Sequence, residues 1–182
     1  KSEAHFRSAI KRITQRNPNP YDSEAYYNLG VTLFAQERYA DAYDAFYKAT
    51  WTSAQQEMAF YYLAAIACRR GDHAQGLEFI DRSLVKNTHN LKARNLRGVL
   101  LHLLGKQDEA VSQLQSNLAL DPFDYCSRLE LDRQQGTGHA ATLALMGNRA
   151  SSFIECAIDL AEAGLYERAV ETLRLCSADA PM

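Results

Sequence analysis

Four cysteines and five histidines are the side chains of this sequence best suited to redox, metal or nucleophilic chemistry. No two cysteines form a C-x-x-C pair, and no histidine lies at metal-ligand spacing from one. Two of the cysteines fall at apolar positions, where cysteine acts as a small hydrophobic residue. We therefore expect buried thiols, and this usage favours a reducing, cytoplasmic setting. The residues concerned are Cys68, Cys126, Cys156 and Cys176.

Two short segments resemble catalytic or phosphate-binding elements. Cys68 and His73 are five residues apart, but Gly71 breaks the predicted helix between them, so a catalytic pair is not expected. The Gly-Thr-Gly-His segment at 136–139 follows no predicted strand, which favours a turn at a helix start over a phosphate loop. Metalloprotease, Walker and nucleophile-elbow motifs are absent from the sequence. We expect no enzymatic activity from this segment, no metal and no cofactor.

Charge and composition favour an ordinary globular protein. Twenty basic and 22 acidic residues leave a formal charge of −2, which gives no electrostatic footprint for nucleic acid or an anionic membrane. Apolar residues make up 47% of the chain, yet no apolar run approaches the ~18 residues that a membrane span needs. We therefore expect neither nucleic acid nor membrane as a partner.

The elements that would position any functional residue recur with a period of 34 residues. Such a period is typical of stacked supersecondary units. Apolar residues three and four apart predict amphipathic helices. Small residues at fixed positions let paired helices approach closely, and a bulky residue fills the gap beside them. The equivalent positions are Gly30, Ala64 and Gly98; Ala42, Gly76 and Ala110; and Phe46, Ile80 and Leu114.

Residues 23–56 show the most complete copy of this pattern. Tyr26, Leu29, Gly30 and Leu33 match W-x-x-L-G-x-x-Y, and A-x-x-x-F-x-x-A follows around Phe46. This pattern resembles the tetratricopeptide repeat. The resemblance implies an all-α fold, an α-solenoid of stacked antiparallel helix pairs that form a right-handed superhelix.

The pattern divides the chain into one solenoid, 1–182, that starts with the second helix of a partial repeat and suggests a piece of a longer protein. Polar residues at Arg94, Arg97 and Asn117 depart from the pattern, and we expect looser packing there. Trp51 is expected to pack at a repeat junction, with a contact on the convex side as the alternative. The segments are the partial repeat 1–20, the full repeats 23–56, 57–90 and 91–124, an irregular short helix pair at 125–149, and a full repeat at 150–182.

The resemblance also implies that the first helix of each pair lines a concave groove. Val31, Ala65 and Val99 are expected to be packed between helices. Tyr27 and Tyr61 are the strongest candidates for partner contact, because a tyrosine hydroxyl can face solvent and their equivalent positions make them neighbours along one strip of the groove. The candidate groove residues are Glu24, Tyr27, Phe34, Met58, Tyr61, Lys92, Asn95 and His102.

These residues predict a protein-interaction scaffold that binds a polypeptide segment or a neighbouring domain. A chaperone-type carboxylate clamp is not expected, because Tyr27, Val31 and Leu96 replace its polar and basic residues and only Lys92 remains. Self-association through exposed ends of the stack is a further hypothesis.

A second resemblance suggests an alternative function. The segments 24–51, 81–84 and 92–96 look like the helical C-terminal region of a family of large uncharacterised bacterial multidomain proteins. That likeness implies a non-catalytic accessory domain of a carbohydrate-related enzyme, which would pack on another part of its own chain.

Overall fold

The computed structural model describes residues 2–18, 20–147 and 149–176. Within these ranges the chain is helical and contains no strand, which confirms the all-α prediction. Pro181, which closes the last predicted repeat, lies outside the described residues. The helices are α1 (Ser2–Ile13), α2 (Glu24–Ala35), α3 (Tyr39–Ala49), α4 (Gln56–Arg69), α5 (His73–Lys86), α6 (Leu91–Leu103), α7 (Gln107–Leu120), α8 (Tyr125–Gln135), α9 (Ala140–Met146), α10 (Ala150–Glu162) and α11 (Tyr166–Arg174).

Side-chain caps mark several of the helix starts. Asp72, Asn90 and Asp124 each accept a hydrogen bond from the backbone N–H three residues later. Such a bond satisfies one of the four N–H groups that a helix leaves unpaired at its N-terminus. These caps therefore set where α5, α6 and α8 begin.

The turn between paired helices uses one left-handed residue, again 34 positions apart. Gly71 has φ +77° and Gly105 has φ +76°, but the first pair has Glu37 there with φ +60°. A side chain with a Cβ pays a steric cost in this conformation that glycine does not. The first pair therefore carries strain that the next two avoid.

We expect Glu37→Gly to raise the free energy of unfolding by about 0.5–1 kcal/mol, because it relieves that strain. Urea denaturation followed by circular dichroism would measure the change. The reverse change at the equivalent turn, Gly71→Ala, is the matched control and should destabilise the protein. A destabilised Glu37→Gly protein would contradict the strain argument.

Close helix approach builds the main core. An added Cβ at Gly30 would lie 2.7 Å from the Phe46 ring, and one at Gly98 would lie 2.7 Å from Leu114. Phe46 and Leu114 are both fully buried. The core cluster extends from α2 to α6, while α8, α9 and α10 share a smaller cluster around Phe153. The small and bulky repeat positions thus meet in pairs.

The expectation of looser packing at the polar repeat positions is wrong at Asn117, whereas Arg94 and Arg97 are partly exposed. Asn117 is fully buried, and its amide donates to Asn95 Oδ1 and Ser127 Oγ, both at 3.0 Å. Its Oδ1 accepts from Arg94 Nε and Gln113 Nε2, both at 2.8 Å. These four bonds satisfy the buried amide, so its burial carries no cost of an unpaired polar group.

The expectation that Trp51 packs in a junction between repeats is also wrong, since its side chain is 54% exposed. It lies just beyond α3, eight residues after Tyr43 and four after Tyr47, which stack with ring centroids 6.2 Å apart. The two stacked rings lie on one face of α3, and Trp51 follows them in the turn after the helix. A contact role for Trp51 stays a hypothesis.

Candidate functional site

Helices α2, α4 and α6 carry the eight candidate groove residues, and we call the surface that these three helices share the groove face. Three of the candidates lie apart from its centre. Glu24 is exposed at the first residue of α2, and Met58 is half-buried against the core. His102 lies near the end of α6, where its Nδ1 is 2.8 Å from Gln107 Oε1.

Aromatic rings form the centre of the groove face. Tyr62 stacks on Phe46 with centroids 4.7 Å apart, and it also contacts Phe34 at 5.2 Å, Tyr61 at 5.8 Å and Tyr27 at 6.2 Å. The structure therefore brings Tyr27, Phe34 and Tyr61 into one cluster. The expectation that Tyr61 faces water is wrong, because its side chain is only 1% exposed.

Tyr62 joins these rings, and the sequence analysis did not select it. Its place in the run Phe60-Tyr61-Tyr62 is the signal that could have found it. Consecutive residues of a helix point about 100° apart, so Tyr61 and Tyr62 reach different neighbours while both remain on the inner side of α4. Three adjacent aromatic residues on a groove helix therefore indicate more than one contact surface.

The groove face is covered by the chain's own α10–α11 turn, Asp159–Tyr166. Lys92 Nζ lies 2.9 Å from Asp159 Oδ1 and also pairs with Glu162. Ala163, at the end of α10, is fully buried in the core cluster of α2 to α6. This burial explains why Tyr61 is hidden, and it places Lys92 in an intramolecular contact.

Arg69, at the end of α4, is the second cation of the site and was missed by the sequence analysis. Its Nη2 donates to the carbonyl oxygens of Ala161 and Glu162, both at 2.9 Å, and its Nη1 donates to the Tyr166 hydroxyl. The guanidinium also lies 5.2 Å from the Phe34 ring centroid. Arg69 directly follows a groove position of the repeat, which is the signal that could have found it.

Asn95 contributes to the buried polar network and not to the aromatic cluster. Its Nδ2 donates to Asp124 at 3.0 Å, and its Oδ1 accepts from Asn117 and Ser127. The network therefore ties α6 to α7 and α8. Asn95 therefore holds α6 against its neighbouring helices. Lys92 and Arg69 are the cations that contact the covering segment.

Burial and charge act together on the titratable groups of the groove face. Burial raises the pKa of Tyr61 well above its usual value, and the nearby Glu162 carboxylate raises it further. Burial likewise raises the pKa of Tyr27 and Tyr62, again with help from Glu162. For Lys92, burial opposes the charge, but hydrogen bonds to Asp159 and Glu162 outweigh it and leave the pKa raised. The face therefore holds positive charge against carboxylates at neutral pH.

This raised pKa gives a pH-dependent prediction. A lysine whose pKa is higher in the folded state stabilises the protein below its unfolded pKa of about 10.4, and the contribution fades as pH rises through the folded pKa. We expect Lys92→Met to be less stable than wild type at pH 8, and the difference to vanish in strongly alkaline solution. Urea denaturation over this pH range would measure it. Lys86→Met, at an exposed lysine outside the groove face, should show a smaller difference, and a Lys92→Met deficit that persists unchanged would contradict the ion pair.

A disulfide between Cys126 and Cys156 joins α8 to α10, with the two Cα atoms 5.4 Å apart. The prediction that these residues are buried thiols is therefore wrong, and the argument for a reducing, cytoplasmic setting loses two of the four thiols on which it rested.

Cys68 is a buried thiol, as expected. Burial raises its pKa to about 12, which keeps it protonated and makes it a poor nucleophile at neutral pH.

A buried carboxylate joins α8 to α11. Glu130 is 4% exposed and pairs with Arg133 and Arg168. Beside it, Lys92, Tyr61 and both disulfide cysteines line a cavity of about 40 Å³. A volume of this size suits water and is far below that of a cofactor pocket.

In the ranges that the structure describes, no cluster of three or more His, Cys, Asp or Glu side chains could hold a metal ion. Among the same residues, no helix combines the length and apolar character that crossing a bilayer requires.

Part of this sequence is similar to known proteins. Residues 3–58 match the family model described as Tetratricopeptide repeat. The chain is 27% identical over 118 residues to the Photosystem I assembly protein Ycf3 of Cuscuta gronovii, an alignment that covers 63% of this chain and 69% of that one. The same figures apply to Ycf3 of Cuscuta obtusiflora.

Solved structures share the fold. A tetratricopeptide repeat protein from Parabacteroides merdae is similar with a TM-score of 0.69 and 17% identity, over 99% of this chain and 73% of that one. YrrB, described as a TPR protein with an unusual peptide-binding site, has a TM-score of 0.63 and 19% identity, over 93% and 89% of the two chains. The helix pairs and these structures together show that this chain has the fold of an α-solenoid, and its residues 3–58 match the tetratricopeptide repeat.

Proposed function

We propose that this chain is a protein-interaction scaffold that binds a polypeptide segment or a neighbouring domain on the groove face. The observation that carries the proposal is that this face already holds a polypeptide, the segment Asp159–Tyr166. Lys92 binds its carboxylates, and Arg69 binds its main-chain carbonyl oxygens at 2.9 Å. A surface that satisfies backbone and side-chain groups of an inserted segment has the chemistry that peptide recognition needs.

The family comparison supports a binding role over a catalytic one. Tetratricopeptide repeats generally form non-catalytic scaffolds for proteins and peptides. A solved relative of the same fold, YrrB, is described as having an unusual peptide-binding site. The near-neutral formal charge of −2 favours protein partners over nucleic acid. Because the groove face lacks most of the clamp residues, we do not propose a free C-terminal carboxylate as its ligand.

Two adjacent arginines allow a matched test. Arg69 lies on the groove face, whereas Arg70 is exposed and lies over Tyr43, 5.2 Å from the ring centroid. Peptides would be selected from a displayed library with the full chain as bait, both oxidised and with the Cys126–Cys156 disulfide reduced, and their affinities measured by calorimetry. We expect Arg69→Ala to weaken binding by about tenfold or more, which is the loss of a charge-assisted hydrogen bond.

Arg70→Ala should bind the selected peptides within about twofold of wild type, since a solvent-exposed cation outside the contact contributes little. Equal effects of the two substitutions would place the binding site elsewhere. Failure to select any peptide would contradict the scaffold proposal itself.

A further inference from the structure

We propose that the groove face recognises the acidic C-terminal end of an α-helix, and that Asp159–Tyr166 is a built-in copy of this ligand which a partner protein displaces. The inference rests on the proposed function, because it names the ligand chemistry of the same face.

The first part of the recognition is electrostatic. A helix end exposes unpaired carbonyl oxygens that carry partial negative charge. Arg69 donates to two carbonyl oxygens of this end at 2.9 Å each, that of Glu162 and that of Ala161, which also accepts from the Gly164 N–H. Lys92 adds a full positive charge that pairs with carboxylates three residues apart, Asp159 and Glu162. Residues at this spacing lie on one face of a helix, so a single lysine reaches both.

The second part of the recognition is steric. Ala163 follows the last turn of α10 and is fully buried against α2 to α6. Gly164 comes next with φ +79°, and a Cβ added there would lie 3.1 Å from the Arg69 Cα. The face therefore accepts a small residue and then a glycine in the left-handed conformation. The ligand so defined is an acidic pair three apart on a helix that ends in Ala-Gly.

A covalent bond also holds the built-in copy on the groove face. The disulfide of Cys126 with Cys156 ties α10 to α8. A tethered segment competes at a high effective concentration, commonly in the millimolar range, so a separate ligand is disfavoured while the tether is intact. A dithiol reductant supplies two electrons and two protons and converts the disulfide to two thiols. Reduction should therefore make the groove face more accessible to a partner.

Helices α10 and α11 form the C-terminal pair, and their side away from the groove face is solvent-exposed and apolar. Ile154, Ile158, Val170 and Leu173 are 42–57% exposed. Within the described part of the chain, no packing on that side holds these four residues, so the position of α10 and α11 depends on the groove contacts, on the Phe153 cluster, on the Glu130 ion pairs and on the disulfide. Displacement requires the loss of these polar contacts, the removal of Ala163 from the main core and the opening of the smaller Phe153 cluster, while the rest of the α2 to α6 core stays packed.

The test uses a fluorescein-labelled synthetic peptide of residues 150–175 carrying Cys156→Ser, titrated into the full chain and followed by fluorescence anisotropy. We expect the dithiothreitol-reduced chain to bind it at least about tenfold more tightly than the oxidised chain. With the reduced chain, Lys92→Glu should shift the preference between this peptide and a charge-exchanged peptide by about tenfold or more, because the ratio of the two affinities cancels the competition from the built-in copy. Lys86→Glu, a charge reversal outside the groove face, should leave that preference within about twofold of wild type.

Charge exchange makes the test specific. A second peptide with Asp159→Lys and Glu162→Lys should bind the Lys92→Glu chain and bind the wild-type chain poorly. Failure of this exchange, with circular dichroism showing a folded Lys92→Glu chain, would overturn recognition of an acidic helix end. Binding that is equal in the oxidised and reduced chains would overturn the displacement of a tethered copy.

Two outcomes separate this inference from the proposed function. If library peptides bind at Arg69 but neither labelled peptide does, the scaffold proposal stands and the ligand assignment is overturned. If the reduced chain dimerises, as measured by sedimentation, and takes up no labelled peptide, the occupant is a second copy's segment and a separate partner is ruled out.

Discussion

Phe46→Ala is expected to lower the free energy of unfolding by about 3–5 kcal/mol, the range for removal of a fully buried phenylalanine. Phe46 is 0% exposed, stacks on Tyr62 at 4.7 Å and lies 6.0 Å from the Tyr27 centroid. Its ring also fills the space above Gly30. Alanine would leave a cavity between α2, α3 and α4 that these rigid helices cannot close. Urea denaturation followed by far-ultraviolet circular dichroism measures the loss.

The matched control for this substitution is the next residue along α3. Tyr47 is 46% exposed, and Tyr47→Ala should change stability by no more than about 0.5 kcal/mol. Similar losses for the two variants would contradict the assignment of Phe46 to the space between the paired helices.

Glu130→Ala is expected to cost about 3 kcal/mol, because it removes the buried carboxylate that Arg133 and Arg168 share. Arg133 and Arg168 side chains are 20% and 13% exposed, so they keep only part of their hydration once the carboxylate is gone. Since Arg168 lies on α11 and Glu130 on α8, the loss should appear first as loosening of the C-terminal pair. Hydrogen exchange of α10 and α11, together with the urea midpoint, would measure it.

Glu155→Ala on the exposed side of α10 is the control and should be close to neutral. A double-mutant cycle with Arg168→Met would isolate the coupling between α8 and α11. If Glu130→Ala costs no more than Glu155→Ala, the ion pair does not hold α11 in place.

Local sequence patterns predicted the helices and the main core, because the relevant interactions repeat along the chain. Gly30 and Phe46 meet as their spacing predicts, and so do Gly98 and Leu114. Amphipathic spacing and helix caps act within one or two turns, so they can be read without knowing how distant segments meet. The groove helices could be chosen in the same way, and Tyr27, Phe34 and Tyr61 do come together.

Tertiary structure alone decided what covers the groove face and how the polar positions are satisfied. Asn117 breaks the repeat pattern, and only its partners on α6, α7 and α8 make it a well-packed residue. Cys126 and Cys156 meet because α9 is a short helix that lets α10 return to α8, a contact that cysteine spacing does not indicate. Arg69 and Lys92 find their partners in Asp159–Tyr166, about 70–90 residues later in the chain. Contacts at such separation depend on the summed geometry of every helix between them, and no local pattern records that sum.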